Sequence, residues 1–266
     1  DGSPFSPDGD EGRAMLQIIH DVAPGASLAF HTAGGGQGNF ANGILALRNT
    51  ADADVIVDDI IYFAEPIFQD GIIAQAVDTV VADGAVYLSS AGNNGDDAFF
   101  DVYRDSGIDG DTIDALRTGT GFSDLGNLHD WNDDPNVFSP YVELTLADGE
   151  DFSLSFQFDE PYASAGGLGS TADYDIFVTV VDAQGNETLP SEGIGFANNI
   201  NSDPIEIVDA ENDTGGVRTY RIYITQFNPS DTAATNLLAG IFFSSASGFL
   251  VEDFNPQIIV NEATGE

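Results

Sequence analysis

The chain has 266 residues, enough to bury a substantial core as one large domain or two smaller ones. Forty-five acidic residues stand against six arginines and no lysine, a net charge of −39. No basic footprint for phosphates can be assembled from this, which excludes a nucleic-acid partner and disfavours anionic membranes.

A surface so charged repels itself and calls for a saline medium or millimolar divalent cations. Cysteine is absent, so no disulfide framework forms. No apolar run reaches the roughly 18 residues that span a bilayer. No basic segment opens the chain, and any signal peptide is expected to have been removed.

In chain order, Asp8-Gly9-Asp10-Glu11 offers a helix start, followed by Ala14, Met15, Ile18 and Ile19 at helical spacing. Pro24-Gly25 stops that helix. Ser27–His31 (SLAFH) predicts a short buried strand, Phe40–Arg48 a helix, Asp54–Ile61 a strand, Gly71–Ala82 a helix and Ala85–Ala91 a strand. Alternation with short connections predicts right-handed βαβ units and a parallel sheet covered by helices. After about Asn127 the pattern turns to period two: Tyr141–Leu146, Phe152–Phe158, Tyr174–Val181, Pro204–Val208, Thr219–Phe227 and Leu237–Phe243. Asp-Gly, Gly-Asn and Thr-Gly-Gly turns separate these runs, which predicts an antiparallel β-sandwich. The expected fold class is therefore α/β plus all-β: an α/β part over 1–126, an inserted sandwich over 127–247 and a return segment over 248–266.

Three segments together resemble the subtilase superfamily of serine peptidases. Glu11–Ala26 looks like the catalytic-histidine helix and the turn after it, with Glu11 where the histidine stands. Asp54–Ile60 resembles the strand beside the substrate cleft, and Ser89-Ser90-Ala91-Gly92-Asn93 the strand end whose asparagine builds the oxyanion hole. The likeness covers roughly residues 10–95. The later part resembles the jelly-roll modules that accompany secreted bacterial peptidases. Two family motifs have no counterpart: the strand with the catalytic aspartate and the Gly-Thr-Ser nucleophile motif.

The resemblance implies Glu11 as the general base, a role the sedolisin branch gives to glutamate, and Asn93 as the oxyanion donor. A carboxylate can do this work when burial or a neighbouring acid raises its pKa. Met15, not an acid, lies four residues on. Asp8 and Glu11 also have the spacing of a capping box, and Asn94-Gly95 that of a tight turn. Asp58 and Asp59 end an apolar strand on opposite sides, so Asp59 is a candidate second carboxylate and strand-end solvation its plain alternative.

His20, His31 and His129 show no metal-ligand spacing and read as structural; His20 lies too far along its helix to be the base. Calcium suits the acidic loops, the candidates being Asp109, Asp111 and Asp114, then Asp133 and Asp134, then Asp173 and Asp175. None has EF-hand spacing, and among 33 aspartates clusters arise readily. The sequons at Asn186 and Asn212 matter only in a eukaryotic secretory route.

The expected protein is thus a secreted, subtilase-related fragment from a saline or marine bacterium. It would act on a polypeptide substrate only with the remaining segments of its own precursor, and would be inactive alone. The other reading is a non-catalytic extracellular module that self-assembles, with calcium crosslinking its acidic surface.

Overall fold

A computed structural model describes residues 10–93, 97–134, 136–227 and 236–244. It is mixed and strand-rich, and it divides into two compact units. One takes in the residues up to Glu65 together with Asp70–Asn93; the other takes in Pro66–Gln69 and the residues after Asn93. The division falls at Asn93, well ahead of the 126/127 boundary expected from the periodicity.

The first unit holds α1 (Glu11–Val22), α2 (Gly36–Asn49), β1 (Val55–Asp58), α3 (Ile72–Ala82) and β2 (Val86–Ser89). β1 and β2 pair in parallel, Val55 opposite Val86 through Asp58 opposite Ser89. Ile44 of α2, Ile73, Ala76 and Val80 of α3, Ile56 of β1 and Ala85 form its small core. Arg48, at the end of α2, ties this core shut: its guanidinium donates to Asp83 Oδ2 at 2.8 Å and to the Ala53 carbonyl at 3.1 Å.

Ser27–His31 is not a strand. Among the described residues the only sheet in this unit is the β1–β2 pair, and the segment does not join it. It runs extended instead, with the Phe30 ring over Gly12 and the His31 ring over Gly43, two positions with no room for a Cβ.

The second unit holds β3 (Ala98–Val102), β4 (Asp105–Asp109), α4 (Asp114–Thr120), β5 (Asn127–His129), β6 (Val142–Leu146), β7 (Asp151–Phe158), β8 (Asp173–Val181), β9 (Glu187–Thr188), β10 (Ile194–Gly195), β11 (Ile205–Glu211), β12 (Arg218–Phe227) and β13 (Leu237–Ser244). One sheet runs β11-β7-β13-β3, every pair antiparallel. The other centres on β8 and β12; β9 and β10 flank β8, while β6 and β5 follow one another along β12 and β4 lies beyond β5. Because β3 pairs with β13, Phe100 opposite Ala239, and β5 pairs with β12 and β4, these three strands belong to the sandwich and not to the α/β part. The expected return segment, 248–266, lies outside the described residues.

Period two explains the packing. Phe152, Leu154, Phe156 and Phe158 of β7 face Tyr174, Ile176 and Val178 of β8 and Tyr220, Ile222 and Ile224 of β12 across the main core. β8 is buried on both faces, since Phe177 joins Tyr223, Leu128, Leu125 and Leu116 in a second cluster that includes α4. Gly126 has φ +75°, and a side chain there would strike the Gln226 carbonyl, so only glycine lets β5 begin this close to β12.

Phe99 is fully buried, edge-on to Trp131 at 5.2 Å and beside Phe242 at 6.3 Å, over the space left by Gly240. Phe99→Ala is expected to cost about 3–5 kcal/mol in urea unfolding, since no neighbouring ring can collapse into the hole.

Candidate functional site

β1 and β2 run side by side, so both deliver their carboxyl ends to one edge, the place where α/β folds build sites. Alternation puts Ile56, Asp58, Tyr87 and Ser89 on one face and Val55, Val57, Val86 and Leu88 on the other. Asp58 accepts from the Tyr87 hydroxyl and, at 2.7 Å, from the Ser89 hydroxyl. Burial, that hydrogen bond and the Asp58 charge push the Tyr87 hydroxyl far up. Glu65 is raised by burial and by the Asp58 charge, and Tyr62 by burial and by Glu65 and Asp58. The Tyr62 hydroxyl donates to the Ala33 carbonyl at 2.5 Å. Asp58, Tyr87, Ser89, Tyr62 and Glu65 thus form an acid–phenol cluster that the sequence reading missed, apart from Asp58. The parallel pairing of β1 with β2 is the signal that would have found Tyr87 and Ser89.

Asp59 follows β1 and is exposed, and Asn93 lies exposed beyond the end of β2. Glu11 is the first residue of α1, exposed, without a hydrogen-bond or ion-pair partner among the described residues. Asp10 is the N-cap and makes no capping bond; its carboxylate pairs with Arg13. The expected cap Asp8 and the turn Asn94-Gly95 lie outside the described residues. Asp59 and Asn93 thus both follow a strand of the parallel pair, and Glu11 stands on α1. His20 sits in the last turn of α1, at the opposite end from Glu11.

In the sandwich, His129 is fully buried, stacked on Tyr103 and edge-on to Trp131. The Arg104 backbone N–H donates to its Nδ1 at 3.1 Å, which leaves Nε2 to carry the proton toward Asp101 Oδ2 at 3.0 Å. Arg104 grips both oxygens of Asp101 at 2.6 Å. Burial alone would raise Asp101, but the bonds from His129 and Arg104 outweigh it and hold the carboxyl below its usual range. Burial lowers His129, outweighing the pull of Asp101. This is a structural knot.

The acidic loops separate into two kinds. Asp109 accepts from the N–H of Asp111 at 2.9 Å, Asp114 pairs with Arg117, and Asp134 accepts from the N–H and side-chain amide of Asn136. The Asp109 and Asp134 carboxylates build turns, and Asp114 makes a pair on the surface of α4. Asp173 and Asp175 differ: both lie on the outer face of β8 and both are buried. Asp173 accepts from the Asn199 N–H at 2.9 Å, whereas Asp175 has no hydrogen-bond partner among the described residues. Burial, then the charges of Asp173 and Glu206, push Asp175 up to about 8. Burial likewise raises Glu206 to about 7, against the bonds it accepts from Ala197 and Asn199. Among the described residues no three His, Cys, Asp or Glu side chains gather as a metal-binding group. Of the sequon asparagines, Asn186 is exposed, but Asn212 is buried with its amide donating to the Leu146 and Gly216 carbonyls.

No helix among the described residues is long and apolar enough to cross a membrane. No protein-family model matches the chain, and no curated protein does. Among solved structures, a protein from Sulfurospirillum deleyianum aligns at 11% identity over 40% of this chain and 91% of its own, with a TM-score of 0.23. A likeness that low carries no argument.

The His129 knot sets a pH dependence. In the unfolded chain the imidazole titrates near 6.5; in the fold it titrates lower, so the folded state binds fewer protons between the two values. Its contribution to stability is therefore full above 6.5 and is lost as pH falls through that window. His129→Gln is expected to cost about 1–3 kcal/mol near pH 8 and less near pH 5, in denaturant titrations at the two pH values.

Proposed function

We propose that this chain is a secreted, subtilase-related α/β segment joined to a β-sandwich, and that it serves peptide-bond hydrolysis only within a larger peptidase core. The observation that carries this reading is the bare face of the parallel pair. Val55, Val57, Val86 and Leu88 are 57, 43, 53 and 54% exposed, although a parallel sheet is normally covered on both faces. More of the same α/β fold, supplied by other residues of the precursor, is the natural cover. Within it Glu11 would take the proton from the incoming nucleophile. Asp59 would supply a second carboxylate. Asn93 would donate to the oxyanion, a contact worth on the order of 10²–10³ in rate.

The 266-residue chain alone is expected to cleave no fluorogenic peptide and to take no fluorophosphonate label. Turnover together with a label on Ser89 or Ser90 would sink this reading.

The same bare face favours one further reading, a non-catalytic extracellular module that assembles through its α/β part. Burying four aliphatic side chains between two copies stabilises an interface by several kcal/mol before the costs of association, about 1.5–3 kcal/mol for each fully buried chain. Sedimentation velocity in 1 M NaCl distinguishes the two. A dimer or larger species that Val57→Asp converts to monomer supports assembly, and a monomer at all concentrations rules it out.

A further inference from the structure

We propose that the outer face of the larger sandwich sheet binds a Ca²⁺ ion at Asp173 and Asp175, with Asn199 and Thr225 supplying neutral oxygen ligands. Thr225 stands directly opposite Asp175 in the β12–β8 register, on the same face. It is fully buried, and its hydroxyl oxygen has no hydrogen-bond partner. Asn199 is 2% exposed and its side-chain oxygen likewise has none. Its position is well defined: its backbone N–H donates to Asp173 Oδ1, and its Nδ2 donates to Glu206 Oε1 at 3.2 Å and to the Asp203 carbonyl at 3.0 Å. One orphaned oxygen therefore belongs to the residue opposite Asp175, and the other to the residue whose backbone N–H bonds Asp173. An unsatisfied buried polar atom ordinarily costs about 1–3 kcal/mol, and a bare buried charge costs more.

Every orphan here is an oxygen acceptor or a hydroxyl able to act as one, a donor set that a cation would satisfy. The chain does not supply it. Arg48, Arg104 and Arg221 are engaged by Asp83, Asp101 and the Glu143/Glu187 pair, and Arg13 and Arg117 by Asp10 and Asp114; Arg218, which donates to the Val217 carbonyl, stands at the other end of β12 from Thr225.

Two carboxylates with neutral oxygens form a hard, all-oxygen donor set. Ca²⁺ takes about six to eight such ligands in flexible geometry, and water can complete the shell. Mg²⁺ demands a stricter octahedron and gives up its water reluctantly, which suits it poorly to buried donors. With only two carboxylates, the site is compatible with the lack of any three-acid group among the described residues. Glu206 lies near enough to Asp175 to raise it.

The test is run in 1 M NaCl, which screens the general polyanion effect of Ca²⁺ on a −39 chain. Ca²⁺ at saturation is expected to raise Tm by roughly 5 °C over EDTA. Tb³⁺ luminescence, sensitised by the buried tyrosines, should report one tight site from which Ca²⁺ displaces the probe. Asp175→Asn replaces a buried carboxyl with a neutral group of the same size, so in EDTA it should melt no lower than the parent chain. It should also lose most of the Ca²⁺ shift and bind at least tenfold more weakly. Asp52→Asn, at an almost fully exposed acid, should behave as the parent. If Asp175→Asn does not fold, Thr225→Val, which deletes only the orphaned hydroxyl, takes its place and should weaken binding while folding in EDTA. The proposal is overturned if Ca²⁺ gives no shift in 1 M NaCl, if Mg²⁺ gives the same shift, or if the folded variant keeps the parent's response.

Discussion

The scarcity of cations governs this molecule. Six guanidinium groups serve forty-five carboxylates, and the fold places the partly buried arginines where one charge can organise several elements. Arg48 links the ends of α2 and α3 in the first unit. In the sandwich, Arg104 and His129 close on Asp101 from two sides, joining β3 to β5. Arg221 on β12 reaches Glu143 on β6 at 2.8 Å and Glu187 on β9 at 2.7 Å, with its guanidinium over the Tyr141 ring. Arg48 thus ties two helices, while Arg104 and Arg221 tie strands together. Such networks resist dissection, because removing one partner leaves the others charged and partly dry.

The remaining acids survive by another route. Asp105, Asp109, Asp130, Asp134 and Asp182 each accept from a backbone N–H two residues ahead, and Asp148 and Asp203 do the same across longer gaps. An aspartate in that geometry replaces a missing turn bond and needs no counter-ion. An acidic composition thus becomes a supply of turn formers, and a sandwich with many short loops can carry it. The same habit puts Asp109 and Asp134 in turn bonds, while Asp114 pairs with Arg117 on a helix surface.

The elements whose burial follows a simple period were legible in the sequence. The runs Phe152–Phe158, Tyr174–Val181 and Thr219–Phe227 announce their inward faces, and the helix around Ile73 and Val80 announces its stripe. β3, β4 and β5 were not legible, because Asp105–Asp109 is almost wholly polar and Asn127–His129 too short to show alternation. Their pairing is decided by strands far along the chain, and that is what moved the boundary to Asn93. Ser27–His31 has a strand's composition without a strand's neighbour. At the candidate sites, aspartates could be seen but not sorted. The orphaned oxygens of Asn199 and Thr225 are facts of tertiary packing that no local pattern encodes.

The sorting bears on the peptidase reading. A glutamate becomes a useful base toward a serine when its surroundings favour the protonated form near neutral pH, through burial or a second acid. Glu11 has neither: it is exposed at the start of a helix with no buried residue. Asp175 and Glu206 have both, but they lie in the second unit, whereas Glu11 lies in the first. Within the first unit, the carboxylates that feel each other's charge are Asp58 and Glu65, around the Tyr87 and Tyr62 hydroxyls. If the α/β part works in catalysis, whatever covers Val55, Val57, Val86 and Leu88 must also bury Glu11 and bring an acid to it. Completing the fold and tuning the base are then one event, which is why a chain with recognisable pieces of a catalytic centre can be silent by itself.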